Sequence, residues 1–161
     1  MEDAYFIPKG IKITTTPVRE ILKQAVIVRN IKDKEEKWHT QKLTFKFKEF
    51  DVAGNIINQS SVNCEVKDTD NAKLFLNAIG YVEMMCIVED DIAYEKDGLG
   101  IAVKDILGGE KLIEIETNEK YTTIEKVKEK LQELALPVDT SNYFVKKAEV
   151  ELEKKLNSLF N

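Results

Sequence analysis

The side chains in this sequence best suited to chemistry are two alternating sets of charges. Lys46 and Lys48 alternate with Phe45 and Phe47 in the run Lys42 to Phe50, so a period of two puts both ammonium groups on one strand face. Glu114 and Glu116 alternate with Ile113 and Ile115. In an extended chain they leave the same face about 6.5–7 Å apart. Carboxylate oxygens so spaced suit a hard divalent cation, whereas lysine and arginine suit phosphate oxygens. Arg29 follows three apolar residues, Val26-Ile27-Val28, which draw it inward. Each set also has a plainer reading. Glu114 and Glu116 can be the wet face of a strand, and Lys46 and Lys48 a solvent-facing edge.

Other chemistries find little support. His39 is the single histidine and sits beside Trp38, so neither a Ser-His-Asp nor a Cys-His constellation can be assembled. Cys64 and Cys86 lie among apolar neighbours and read as core thiols. Gly98-x-Gly100 and Gly108-Gly109 lack the lysine and helix start of a phosphate loop. With 24 basic against 29 acidic side chains the net charge is −5, and no basic stripe offsets it, so nucleic acid is not an expected partner. No apolar run approaches the ~18–20 residues of a membrane span, and no leader pattern opens the chain. A cytoplasmic location follows as the expectation.

The elements that would position these charges are strands first and helices last. Short strands are predicted at Ile11–Thr16, Ile21–Arg29, Lys42–Phe50 and Ile56–Val66. Further strands are predicted at Tyr81–Val88, Ile92–Glu95, Ile101–Asp105 and Leu112–Thr117, with an acidic break at Glu89-Asp90-Asp91 and a tight turn at Asp97-Gly98. A helix capped by Asp68 or Thr69 repeats Ala72, Phe75, Leu76 and Ile79, and Gly80 stops it. Thr122-Thr123-Ile124-Glu125 opens a second helix carrying Val127, Leu131 and Leu134. Beyond Pro137 a third buries Phe144, Ala148, Leu152 and Leu156. About eight strands joined mostly by hairpins argue for α+β with an antiparallel sheet, as one domain over residues 1–161. Strands polar on one face can close into a barrel with a charged interior.

Several segments, taken in order, resemble the CYTH or triphosphate tunnel superfamily. They are Val26-Ile27-Val28-Arg29, Leu43-Thr44-Phe45-Lys46, Phe75 to Tyr81 (Phe-Leu-Asn-Ala-Ile-Gly-Tyr), Val103 to Glu116 and Ser141-Asn142-Tyr143. The resemblance implies a closed eight-stranded tunnel in which lysines and arginines hold a triphosphate and glutamates hold Mg²⁺ or Mn²⁺, as in class IV adenylyl cyclases and thiamine triphosphatases. On that basis Arg29, Lys46 and Lys48 would bind phosphate, and Glu65, Glu114 and Glu116 would bind metal. The chain also departs from the pattern. Met1-Glu2-Asp3-Ala4-Tyr5 supplies no Glu-x-Glu-x-Lys strand, and no helix fits between that strand and Ile11. Ile27 replaces an arginine, Glu89 and Asp91 replace a basic pair, and Lys104 stands at the hairpin aspartate.

The expected function is therefore a CYTH-like protein with a depleted catalytic set, binding a phosphorylated small molecule or nucleotide in its tunnel without efficient turnover. Two alternatives stand beside it: an active metal-dependent triphosphatase or class IV-type adenylyl cyclase, and a non-catalytic interaction scaffold. Homodimer formation is left open. With the cations so balanced by carboxylates, nucleotide binding is expected to be weak and to depend on divalent metal.

Overall fold

The structure is a computed structural model and describes residues 1–35, 37–52, 56–115, 118–136 and 146–159. Ala4-Tyr5-Phe6-Ile7 is an apolar run without alternation, which suits a strand covered on both faces. It forms the centre of β1 (Glu2–Pro8), and the five residues from Asp3 to Ile7 are all buried. After a turn-rich stretch comes a short helix, α1 (Val18–Leu22), then β2 (Val26–Lys32), β3 (His39–Phe50) and β4 (Ile56–Glu65). The helix α2 (Thr69–Ala78) leads into β5 (Tyr81–Lys96), followed by β6 (Leu99–Ile106), β7 (Lys111–Ile115), α3 (Ile124–Glu133) and α4 (Lys147–Leu159). No helix is long and apolar enough to cross a membrane.

The fold is α+β, and every strand pairing is antiparallel, in the order β4-β3-β2-β1-β5-β6-β7. The expected closed eight-stranded barrel is not what forms. Among the described residues there are seven strands in an open order, with β4 and β7 as its two edges. Three local differences explain the count. Residues 11–16 are turns, with the Thr15 and Thr16 amides both donating to the Lys12 carbonyl. β1, unread in the sequence, takes the place of that strand. The acidic stretch at Glu89 does not break β5, because Glu89 and Asp91 alternate onto one face and share the Lys104 cation on β6. A helix was also missed: α1 occupies residues read as the start of the second strand.

The chain packs as two compact units, Met1–Val88 with Lys146–Asn161, and Glu89–Val145. In the first unit, register fixes two opposite sheet faces. Ala4, Phe6, Val28, Val26 and Leu43 lie on one, packed against Ala72 and Leu76 of α2. The α2 cap is Asp68, whose side chain accepts from the Asp70 amide at 2.8 Å, and Gly80 closes the helix end at a φ of 91°. Only half of the stripe read from the sequence is buried. Phe75 and Ile79 are 59% and 54% exposed. The other sheet face carries Asp3, Tyr5, Ile27, Arg29, Met85 and Ile87, and here α1 and α4 lie together.

In the second unit, Leu99 and Ile101 pack with Tyr121 and with Val127 and Leu131 of α3. Thr123 caps that helix, one residue later than the motif suggested, accepting from the Lys126 amide. Asp97 and Gly98 both take positive φ, 54° and 77°, the conformation a two-residue hairpin of matching twist requires.

Candidate functional site

Strand register carries the polar side chains of the first unit onto one face. Arg29 stands opposite Asp3 on β1 and Lys42 on β3. Lys42, Thr44, Lys46 and Lys48 therefore share its side, opposite Glu65, Asn63, Ser61 and Gln59 of β4. The sequence expectation that Arg29, Lys46, Lys48 and Glu65 share a face agrees with this pairing. Glu116 lies outside the described residues, as do Pro137, Ser141-Asn142-Tyr143 and Phe144.

The anchor of this face is Asp3, its side chain only 3% exposed. It accepts two hydrogen bonds from Arg29, from Nε at 2.8 Å and from Nη2 at 3.0 Å, and Lys147 Nζ of α4 lies 3.8 Å away. A bidentate guanidinium fixes plane as well as distance, so Arg29 is held rigidly. Thr44 Oγ1, fully buried, donates to Asn63 Oδ1 at 2.8 Å and ties β3 to β4.

Beyond Thr44 the cations crowd. Among the described residues neither Lys46 nor Lys48 pairs with a carboxylate. Burial pushes the Lys46 pKa down to about 8, and the charges of Arg29, Lys48 and Lys147 push the same way against a smaller opposing pull from Asp3. Burial also lowers Lys48, with Lys146 and Arg19 adding to the effect and Glu149 opposing it. At the end of β3 the Phe50 ring has Arg19 Cζ at 4.4 Å, Lys23 Nζ at 5.6 Å and Lys146 Nζ at 5.7 Å. Arg19 of α1 in turn pairs with Glu149 of α4 at 3.3 Å. Arg19, Arg29, Lys46, Lys48, Lys146 and Lys147 thus act together, with Asp3 and Glu149 as the opposing carboxylates.

Sequence reasoning found half of those cations. Arg19, Lys146 and Lys147 come from helices at opposite ends of the chain, and only the consecutive lysines ahead of the last helix hinted at them. Asp3 was passed over because β1 was. The cysteines are a correction. Cys64 and Cys86 are both exposed, not core residues, and Cys64 lies on edge strand β4. The Cys86 thiol is still partly desolvated, and burial with Glu2 and Glu83 nearby pushes its pKa up to about 11.

The second unit holds a cluster of opposite sign. Lys104, its side chain 12% exposed, lies 3.1 Å from Glu114, and 3.6 Å from both Glu89 and Asp91. Burial works to lower its pKa, but the Glu114 charge and hydrogen bond, with Glu89 and Asp91, outweigh that and hold it above the usual lysine value. Positions 89, 91 and 104 thus form one cluster, the acids on β5 meeting the base on β6.

The resemblance assigned Mg²⁺ or Mn²⁺ to Glu65, Glu114 and Glu116, the last of which lies outside the described residues. Glu114 is engaged by Lys104, and Glu65 ends β4 opposite Lys42. No group of three or more His, Cys, Asp or Glu among the described residues is arranged to hold a metal ion.

No family model and no curated protein matches the chain. Solved structures similar to it include two from Pyrococcus. One is the PH1819 protein from Pyrococcus horikoshii OT3, 22% identical, with a TM-score of 0.67 over 95% of this chain and 83% of that one. The other is a conserved hypothetical protein from Pyrococcus furiosus, 19% identical, with a TM-score of 0.56 over 89% of this chain and 79% of that one. Both likenesses are of fold alone.

Proposed function

We propose that the first unit binds a phosphorylated small molecule or nucleotide on the face that carries Arg29, Lys46 and Lys48, in the manner of a CYTH-like protein that has lost efficient turnover. The observation that carries this reading is the imbalance of charge there. Two half-buried lysines form no ion pair with a carboxylate among the described residues, and burial lowers both pKa values, with Arg29 and Lys48 adding to the effect at Lys46 and Lys146 and Arg19 adding to it at Lys48. Such a group of cations is destabilising by itself and becomes favourable when an anion enters. The extra cations on α1 and α4 change one expectation. With Arg19, Lys146 and Lys147 close enough to act on Lys46 and Lys48, the reading is that a phosphate group is held without a divalent ion.

Turnover is a separate matter. Phosphoryl and nucleotidyl transfer rely on charges placed where the transition state develops its own, usually with metal ions bridging phosphate oxygens. Glu114 spends its charge on Lys104, and Glu89 and Asp91 stand where the resemblance implied bases. Calorimetry with tripolyphosphate and with ATP in the presence of a chelator tests the binding reading. Saturable binding that weakens in Lys46→Ala and in Lys48→Ala, and falls with added salt, is expected. Binding that appears only with Mg²⁺ or Mn²⁺, and is lost in Glu114→Gln, would overturn it in favour of the triphosphatase or cyclase alternative.

The interaction-scaffold alternative has one observation of its own. Leu74, Phe75 and Ile79 of α2 stand exposed together with nothing covering them among the described residues.

A further inference from the structure

We propose that β4 is the docking edge for a second copy of this chain, the two β4 strands pairing antiparallel about a dyad so that the sheets of two first units run on as one. The proposal stands apart from the phosphate reading above.

The two edges of the sheet are unlike. β7 is short and carries Lys111 and Glu114, the abbreviated and charged form in which exposed edges are commonly protected from pairing. β4 is twice as long, and from Ile56 to Cys64 it has no charged residue and no proline. Its ladder with β3 is regular from Asn58 to Glu65, the one irregularity lying at Glu49/Phe50, and residues 58–65 are all exposed.

That ladder fixes what the edge can accept. The Val66 amide donates to the Gln41 carbonyl at 2.9 Å, and bonded and non-bonded pairs alternate along an antiparallel ladder. Asn58, Ser60, Val62 and Cys64 therefore turn their amides to β3, while Gln59, Ser61, Asn63 and Glu65 turn theirs outward. Outward residues bond only to outward residues of an added strand. Any two-fold register thus keeps the same sheet face of both copies on one side.

A second copy suits this edge in charge and in apolar surface. With the dyad at Ser61, Ser61 meets itself, Gln59 meets Asn63 and Val62 meets Ser60, and no like charges are opposed. One row across β3, β4, β4 and β3 then reads Phe45, Val62, Ser60, Phe47, and its dyad mate reads the same in reverse. Val62 and Phe47, 62% and 52% exposed in the single chain, gather at the seam, with small Ser60 between them. On the other face Lys46 stands opposite Ser61. Three strand spacings then separate the two Lys46 residues by about 14 Å, beyond the Debye length of ~8–10 Å. An acidic or basic peptide would find no charge to meet from Ile56 to Cys64.

A seam of two strands falls at the low end of interface sizes, so micromolar dissociation is expected. Sedimentation velocity of the full chain from about 1 to 500 µM brackets that range and should show a monomer–dimer equilibrium. Val62→Lys, its fold checked by thermal melt, should weaken the dimer at least about tenfold by placing a charge on the edge. Ser61→Pro removes an outward amide, spares the bonds to β3 and should abolish the dimer. Leu74→Lys, on the exposed side of α2, should leave it unchanged. A hydrogen-bonded antiparallel pair sets its Cα atoms about 5.5 Å apart, which suits a disulfide. Ser61→Cys should therefore link two copies under mild oxidation, once Cys64→Ser and Cys86→Ser have removed the native thiols. A chain monomeric at every concentration, a dimer that survives both Val62→Lys and Ser61→Pro, one lost in Leu74→Lys, or one that Ser61→Cys does not cross-link would overturn the proposal.

Discussion

Asp3→Asn removes the carboxylate on which the cations of the first unit converge. The side chain is 3% exposed and its partner Arg29 16% exposed, and the two share hydrogen bonds of 2.8 and 3.0 Å. Breaking a buried pair by deleting one partner costs about 3–5 kcal/mol, because the charge left behind has lost its compensation. Arg29 retains some access to water, which places the expected loss near the lower limit, about 3 kcal/mol. In a chain of this length that is a fall in Tm of roughly 6–12 °C. Glu20→Gln provides the contrast, since Glu20 and Lys23 form an exposed pair within α1 and should cost at most about 1 kcal/mol. Urea and thermal melts of both variants at pH 7 measure the difference. A second consequence separates charge from packing. With Asp3 gone the Lys46 pKa should fall further, and tripolyphosphate should raise the Tm of Asp3→Asn more than that of the wild type. A loss under about 1 kcal/mol for Asp3→Asn, with no enhanced rescue by the anion, would refute the electrostatic reasoning.

Lys46 also sets a pH dependence. Its folded pKa of about 8 lies below the unfolded 10.5, so the folded state binds fewer protons between those values and stability should rise with pH there, by at most about 3 kcal/mol. Lys46→Met should remove that slope and stabilise the protein below pH 8, as urea melts at several pH values will show. Lys104→Met strips a cation from fully buried Glu89 and should cost about 3 kcal/mol, whereas Lys111→Met, from an exposed pair with Asp105, should leave the Tm nearly unchanged. Cys86, although exposed, should react slowly with a thiol reagent at pH 8, because a pKa pushed up to about 11 leaves little thiolate. Hydrolysis of ATP, thiamine triphosphate or tripolyphosphate with Mg²⁺ or Mn²⁺ should be negligible by phosphate release. Robust turnover lost in Glu114→Gln would reverse that expectation.

What the sequence revealed depended on how local the determining physics was. The alternation of Lys46 and Lys48 with Phe45 and Phe47 is a property of one strand, and it placed the cations on one face as the register does. The Asp97-Gly98 turn and the Asp68 cap are also set by a few adjacent residues. β1 was hidden because a central strand covered on both faces loses its alternation, leaving Ala4 to Ile7 as an unpatterned apolar run. The continuity of β5 was hidden because Glu89-Asp90-Asp91 reads as a loop unless Lys104 is known to lie across the pairing. The site was half legible for the same reason. Arg29, Lys46 and Lys48 belong to patterned strands, but Arg19 and Glu149 meet across 130 positions of sequence, and no local signal encodes that pairing.

An NMR titration of the wild-type chain with tripolyphosphate, at pH 7 and with a chelator present, tests the phosphate-binding claim most directly. Signals of Arg29, Lys46 and Lys48 should shift together, saturate at one equivalent and weaken as salt is added, while the Lys46 ammonium becomes harder to deprotonate. Absence of saturable shifts, or shifts confined to residues 89–145, would contradict it.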